Sequence, residues 1–210
     1  MSCTQTTKRK RDDSGAFVVS KRIAGLSTAK GIHTYANGSF VISNDLNKIV
    51  YVSQDFVCAT IVIGGNMDDN TSEGYQDGRN SLFSRPSGLA ADRNGNVLVA
   101  DKCNHCIRRI HKDSGKVNTM AGCGQSGFHN AKQRLATFNR PEDVVVLLDG
   151  SLAVSDSLNH CVRVTSPNGR VWTLCGGPEP GLLDATGDMA RFDRPSGLAV
   201  TRDGHVLVIS

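Results

Sequence analysis

One block of sequence recurs along most of the chain, and that recurrence limits the fold more than any single residue does. The stretch Phe83–Gly122 holds four short apolar runs, Gly88–Ala91, Val97–Ala100, Cys106–Ile110 and Val117–Ala121. Turn signals separate them: Asn94-Gly95, Lys102-Cys103-Asn104 and Asp113-Ser114-Gly115. Asn-Gly and short Gly-containing loops between β-branched runs are hairpin signals, because Asn and Gly tolerate the positive φ of a tight turn. Four strands so joined make one antiparallel meander. A lone meander buries too little to stand by itself and has to pack against copies of itself.

The copies are present. Pro86 recurs as Pro141 and Pro195, spacings of 55 and 54, and a weaker copy enters at Ala29-Lys30-Gly31. The first hairpin turn recurs as Asn37-Gly38, Asn94-Gly95, Asp149-Gly150 and Asp203-Gly204. Asp101 returns as Asp156, with Asn44 and Ser210 at the same count in the outer copies. Three residues further on stand Asn104 and Asn159, with Asn47 aligned to them, followed by His105, His160 and Lys48. Phe83, Phe138 and Phe192 announce successive copies and are expected in the core between them.

These residues carry a family resemblance. The pattern Phe-x-Arg-Pro-x-Gly-Leu-Ala-x-Asp-x-x-Gly-x-x-x-Val-x-Asp-x-x-Asn-His-x-Ile-Arg resembles the NHL repeat, in a long-period version, over about residues 23–210. The resemblance is specific in the second and third copies; the first, with Asn44 for Asp and Lys48 for His, is degenerate. The resemblance implies an all-β chain, a β-propeller of four-stranded antiparallel blades. It also implies use as a binding platform.

The expected division is a basic tail at 1–16, then propeller blades over 17–210: a last strand of a preceding blade at 17–27, repeats at 28–82, 83–137 and 138–191, and a truncated repeat at 192–210. The 188 residues from 23 to 210 hold about three and a half periods of 55, and propellers close with 4–8 blades. An incomplete ring is therefore expected, from a fragment or incomplete product, with self-association one way to complete it.

Charge is unevenly placed. The net +4 sits entirely in residues 1–24, six basic groups against two acidic, so the remaining 18 and 18 cancel. A nucleic-acid-binding domain usually shows a basic excess, which makes RNA the second choice of partner after protein. Lys8, Arg9, Lys10 and Arg11 form a compact cationic cluster in a segment with no apolar run. It reads as a nuclear import signal or as a solubilising tail. With no signal-peptide segment and no apolar membrane span, the reading is cytoplasmic or nuclear, not secreted and without a membrane partner. Seven cysteines without a secretory signal argue against a disulfide framework. Cys103-x-x-Cys106 lacks a second pair to complete four zinc ligands, so no metal or other cofactor is expected.

Repetition also sorts function from structure. Residues present in successive copies serve the blade: Asp101 and Asp156 accept N–H groups of the following turn, Asn104 and Asn159 suit a positive φ, and His105 and His160 pack or hydrogen-bond at the blade edge. Arg85, Arg140 and Arg194 recur before each Pro, either paired to a neighbouring carboxylate or ringing one face toward an acidic partner. Residues that break the repeat are binding candidates. Glu142 and Asp143 stand where other copies have Ser-Gly, and Phe128 and His129 look exposed in a connecting loop. No catalytic residue is assigned. The innermost strands carry carboxylates only at their ends, and no Gly-x-Ser-x-Gly or phosphate-binding loop occurs. A non-catalytic scaffold binding a protein through loops on one face is the first reading. The alternative is a metal-dependent propeller enzyme of lyase or lactonase type, with its site in the central channel.

Overall fold

The computed structural model describes residues 28–53, 59–64 and 73–210. The basic tail with its cationic cluster, and the strand expected at 17–27, lie outside the described residues. Three four-stranded antiparallel sheets follow one another in chain order. The first is β1 (Ala29–Thr34), β2 (Phe40–Asn44), β3 (Ile49–Val52) and β4 (Ala59–Ile63). The second is β5 (Pro86–Ala91), β6 (Val97–Asp101), β7 (Cys106–Ile110) and β8 (Val117–Ala121). The third is β9 (Pro141–Val146), β10 (Leu152–Asp156), β11 (Cys161–Thr165) and β12 (Val171–Gly176). A two-stranded sheet, β13 (Leu198–Val200) and β14 (Val206–Val208), completes the described chain. Helical structure among the described residues is limited to four single 3₁₀ turns.

The meander order follows from the turns. Gly38, Gly95, Gly150 and Gly204 all hold φ between 80° and 90° at the same hairpin, the conformation that only a residue without Cβ enters freely. Apolar side chains from adjacent sheets then interlock. Val41, Ile49, Phe83, Val97 and Ile110 form the layer between the first and second sheets. Leu98, Ile107, Phe138, Leu152 and Val171 form the layer between the second and third. Phe83 and Phe138 are fully buried, as the repeat predicts, and so are Cys106 and Cys161.

Strand register corrects one alignment made from sequence. Ile49 lies opposite Ser43, as Ile107 lies opposite Ala100 and Val162 opposite Ser155. The first blade is thus one residue shorter in the turn between its second and third strands. Asn47 corresponds to His105 and His160 rather than to Asn104 and Asn159, and Lys48 to Cys106 and Cys161 rather than to the histidines.

Candidate functional site

The two largest fully buried side chains of the described chain are arginines, Arg108 and Arg163. Each emerges from the third strand of its blade toward the aspartate that ends the second. Arg108 Nη1 donates to Asp101 Oδ2 at 2.6 Å, and Arg163 Nη1 to Asp156 Oδ2 at 2.7 Å. The guanidinium of Arg108 also donates to the carbonyls of Leu82 and Gln76 and lies over the rings of Tyr75 and Phe83. Arg163 repeats this with the carbonyls of Thr137 and His129 and the rings of Phe128 and Phe138. A buried charge is tolerable only when paired and hydrogen-bonded, and both are. Phe128 therefore caps a buried cation with one face and leaves 43 % of its surface in solvent, and the carbonyl of exposed His129 is consumed by the same arginine.

The aspartates complete the arrangement. Asp101 Oδ1 accepts from the Ser84 N–H at 2.8 Å and Asp156 Oδ1 from the Asn139 N–H at 2.6 Å. Asn104 and Asn159 donate to the same carboxylates and to the carbonyls of Gly74 and Gly127. The N–H groups that the aspartates hold thus belong to the segment entering their own blade, 17 residues earlier, rather than to the following turn. Burial pushes both carboxyls up from 3.8 to about 6, against the pull of Arg108 and Arg163. Between those values the folded chain holds protons that the unfolded chain has released. This contribution to stability is therefore full below pH 3.8 and lost as pH rises through 6. Side-chain carboxyl carbon resonances of Asp101 and Asp156 are expected to titrate near pH 6. Titration below pH 4 would reverse the sign of the linkage.

The positive φ in this turn is carried by the histidines, not by the asparagines. His105 has φ 50°, His160 φ 52° and their counterpart Asn47 φ 60°, while Asn104 and Asn159 close the preceding 3₁₀ turns. The left-handed residue in turn grips the next blade. Asn47 Oδ1 accepts from the Arg85 N–H at 2.7 Å, His105 Nδ1 from the Arg140 N–H at 3.1 Å and His160 Nδ1 from the Arg194 N–H at 3.2 Å. Arg85, Arg140 and Arg194 themselves stand at φ 47°, 54° and 52°. Their immediate neighbours are held from the other side, Ser84 by Asp101, Asn139 by Asp156 and Asp193 by the hydroxyl of Ser210. Each arginine backbone is thus fixed by two blades at once. All three side chains are exposed, and among the described residues none forms an ion pair with a carboxylate.

Beside them, the starts of the four innermost strands surround a pocket of about 370 Å³ lined by Lys30, Ser87, Gly88, Glu142, Asp143 and Ser196 among others. Glu142 pairs with Lys102 and accepts from the Ser87 hydroxyl at 3.1 Å. Asp143 accepts from the N–H of Leu198, one blade on, at 2.9 Å and from its neighbour Val144 at 2.8 Å, while its Oδ1 fills the space beside Gly88. Burial raises the Asp143 carboxyl above its ordinary range, with Glu142 a lesser contribution. The two carboxylates that break the repeat are thus tied into contacts between blades. Among the described residues, no three His, Cys, Asp or Glu side chains converge as a metal would require.

Successive four-stranded antiparallel blades around a common pocket define a β-propeller architecture. Residues 83–110 and 138–165 match the family model of the NHL repeat. Its second and third blades thus carry the NHL repeat. The chain is 27 % identical over 152 residues to NHL repeat-containing protein 2 of Bos taurus, covering 67 % of this chain and 21 % of that protein. The chain therefore spans about a fifth of that relative's length. Among solved structures it resembles an auxiliary nutrient binding protein from Bacteroides thetaiotaomicron, with a TM-score of 0.64 and 16 % identity over 85 % of this chain and 44 % of that one. It also resembles a streptogramin B lyase, with a TM-score of 0.61 and 13 % identity over 96 % and 54 %. At these identities the likeness is one of fold. No helix among the described residues is long and apolar enough to cross a membrane.

Proposed function

We propose that this chain is a non-catalytic interaction platform that binds an acidic segment of a partner protein on the face carrying Arg85, Arg140 and Arg194. One observation carries the reading: three successive blades present an exposed arginine on a backbone pinned from both sides, and among the described residues no carboxylate pairs with it. A residue in the left-handed region costs about 1–3 kcal/mol, and such strain persists where the surroundings over-determine it. Here the strain aims a side chain that forms no ion pair within the described chain. The guanidinium fork matches carboxylate geometry, and binding to a pre-fixed cation loses little backbone entropy.

The enzyme alternative loses support at the pocket, where Glu142 and Asp143 already hold Lys102, Ser87 and Leu198. A fluorescent glutamate-rich peptide and a single-stranded RNA of equal charge, titrated against wild type and the R85A/R140A/R194A variant, test the proposal. The peptide is expected to bind more tightly than the RNA and to lose at least about tenfold in affinity, ~1.4 kcal/mol, in the variant. The variant should melt as the wild type does. Preference for the RNA, or unchanged peptide affinity in the variant, would overturn it.

A further inference from the structure

On the outer rim, away from the arginine face, the linkers entering the second and third blades bridge to the start of the fourth strand of the same blade. In the third blade the bridge pairs Lys132 with Arg170. The flanking bonds, Val171 N–H to the Ala131 carbonyl and Gln133 N–H to the Gly169 carbonyl, make this a non-hydrogen-bonded antiparallel pair. In such a pair the Cα atoms lie about 4.5 Å apart and the side chains are at their closest. Two cations therefore stand opposite each other, both exposed, and among the described residues neither has a carboxylate within ion-pairing distance.

Like charges directly opposite destabilise a sheet, so blade stability does not account for them. Two cations are also neighbours at the corresponding place of the second blade. In the second blade Gly78 and Val117 bond each other in both directions, and Arg79 and Lys116 are the residues next to that bridge, as Lys132 and Arg170 stand next to the bond from Val171 to Ala131. Both are again exposed and without an ion pair among the described residues. The residue types differ between the blades while the doubled positive charge is kept.

We infer that this rim receives phosphomonoester groups on a partner protein, one at Lys132–Arg170 and a second at Arg79–Lys116. A carboxylate would leave one of two facing cations uncompensated. A phosphomonoester carries a charge of about −1.5 to −2 at pH 7 and three acceptor oxygens, matching an ammonium and a guanidinium together. The strap beneath Lys132 is fixed by main-chain bonds on both sides, so the pair is already in place before the anion arrives.

The test uses the full chain carrying R85A/R140A/R194A, so that the arginine face contributes nothing, and R79Q, so that Lys132–Arg170 is the facing pair of cations left to bind. A short peptide with one phosphoserine, the same peptide with glutamate in its place, inorganic phosphate alone and phosphatidylserine vesicles are titrated in parallel. The phosphopeptide is expected to bind at least about tenfold more tightly than the glutamate peptide and the free ion. K132E is expected to lose that binding while raising the melting temperature, because it turns a repulsive pair into an attractive one. K132Q should lose affinity with a smaller gain in melting temperature. A glutamate peptide that binds equally well, a free ion that binds as tightly as the phosphopeptide, preferential vesicle binding, or undiminished phosphopeptide affinity in K132E would each overturn the inference.

Discussion

Replacing Gly88 by alanine is expected to destabilise the protein by about 3 kcal/mol or more, the upper end of what overpacking costs. A Cβ at this position would lie 2.0 Å from Asp143 Oδ1 and 2.6 Å from Asp143 Cα. The carboxylate cannot swing away without abandoning the N–H groups of Leu198 and Val144, and the Cα cannot move without displacing β9. Folded domains are stable by only about 5–15 kcal/mol, so such a loss is a large share of the whole. Gly31 meets the same limit one blade earlier, where a Cβ would approach the Ser87 carbonyl oxygen to 2.3 Å. Gly177, with open space around its missing Cβ, is the control and should tolerate alanine within about 0.5 kcal/mol. Urea midpoints of the three variants decide the matter. A G88A midpoint equal to that of the Gly177 variant would show that the inner strands are less tightly apposed than described.

Arg108→Val should cost about 3–5 kcal/mol, because it leaves the Asp101 charge buried without its cation. The informative variant is the double, D101N/R108V. The first blade is built this way already. Register sets Val50 in the place of Arg108, and Asn44 stands where the aspartate would be, its side-chain oxygen accepting from the N–H groups of Leu46 and Lys48. Both ends of the pair are absent there together. The double variant should accordingly be more stable than R108V by at least about 1 kcal/mol, within the range of coupling between contacting residues. Denaturation of wild type, both singles and the double completes the cycle. Equal losses in R108V and D101N/R108V would mean that the arginine serves by its stacking on Tyr75 and Phe83 rather than by its charge.

The repeat was open to reading because tight turns demand particular residues. Asn37-Gly38 and its three counterparts fixed the meander, and Phe83 and Phe138 fixed the layers between blades. Three features were hidden for distinct reasons. Arg108 and Arg163 sit inside the repeated pattern, yet a charged residue in a strand reads as facing water. Its aspartate lies seven residues away on the adjacent strand, and only the three-dimensional register brings them together. The shortened turn of the first blade made Asn47 look like the partner of Asn104, when it does the work of His105. Phe128 looked free because it stands in a loop, and sequence does not show that Arg163 comes up beneath its ring. The charge reading of the body was correct as a sum and silent about place. Equal numbers of acids and bases still leave Arg85, Arg140, Arg194, Lys132 and Arg170 without an ion pair among the described residues, while Asp77, Asp101, Glu142 and Asp156 pair with other cations.

The grip of each blade on the next differs in its chemistry along the chain. The seam between the first and second blades is closed by the amide oxygen of Asn47, a group that does not titrate. The seam between the second and third is closed by the bare Nδ1 of His105, which must lack a proton to accept from Arg140. Burial, helped by the charge of Arg140, holds that imidazole below its ordinary 6.5, so the stability it lends is whole above that value and drains away as the medium becomes more acid. Mild acid therefore loosens the second seam while the first stays shut.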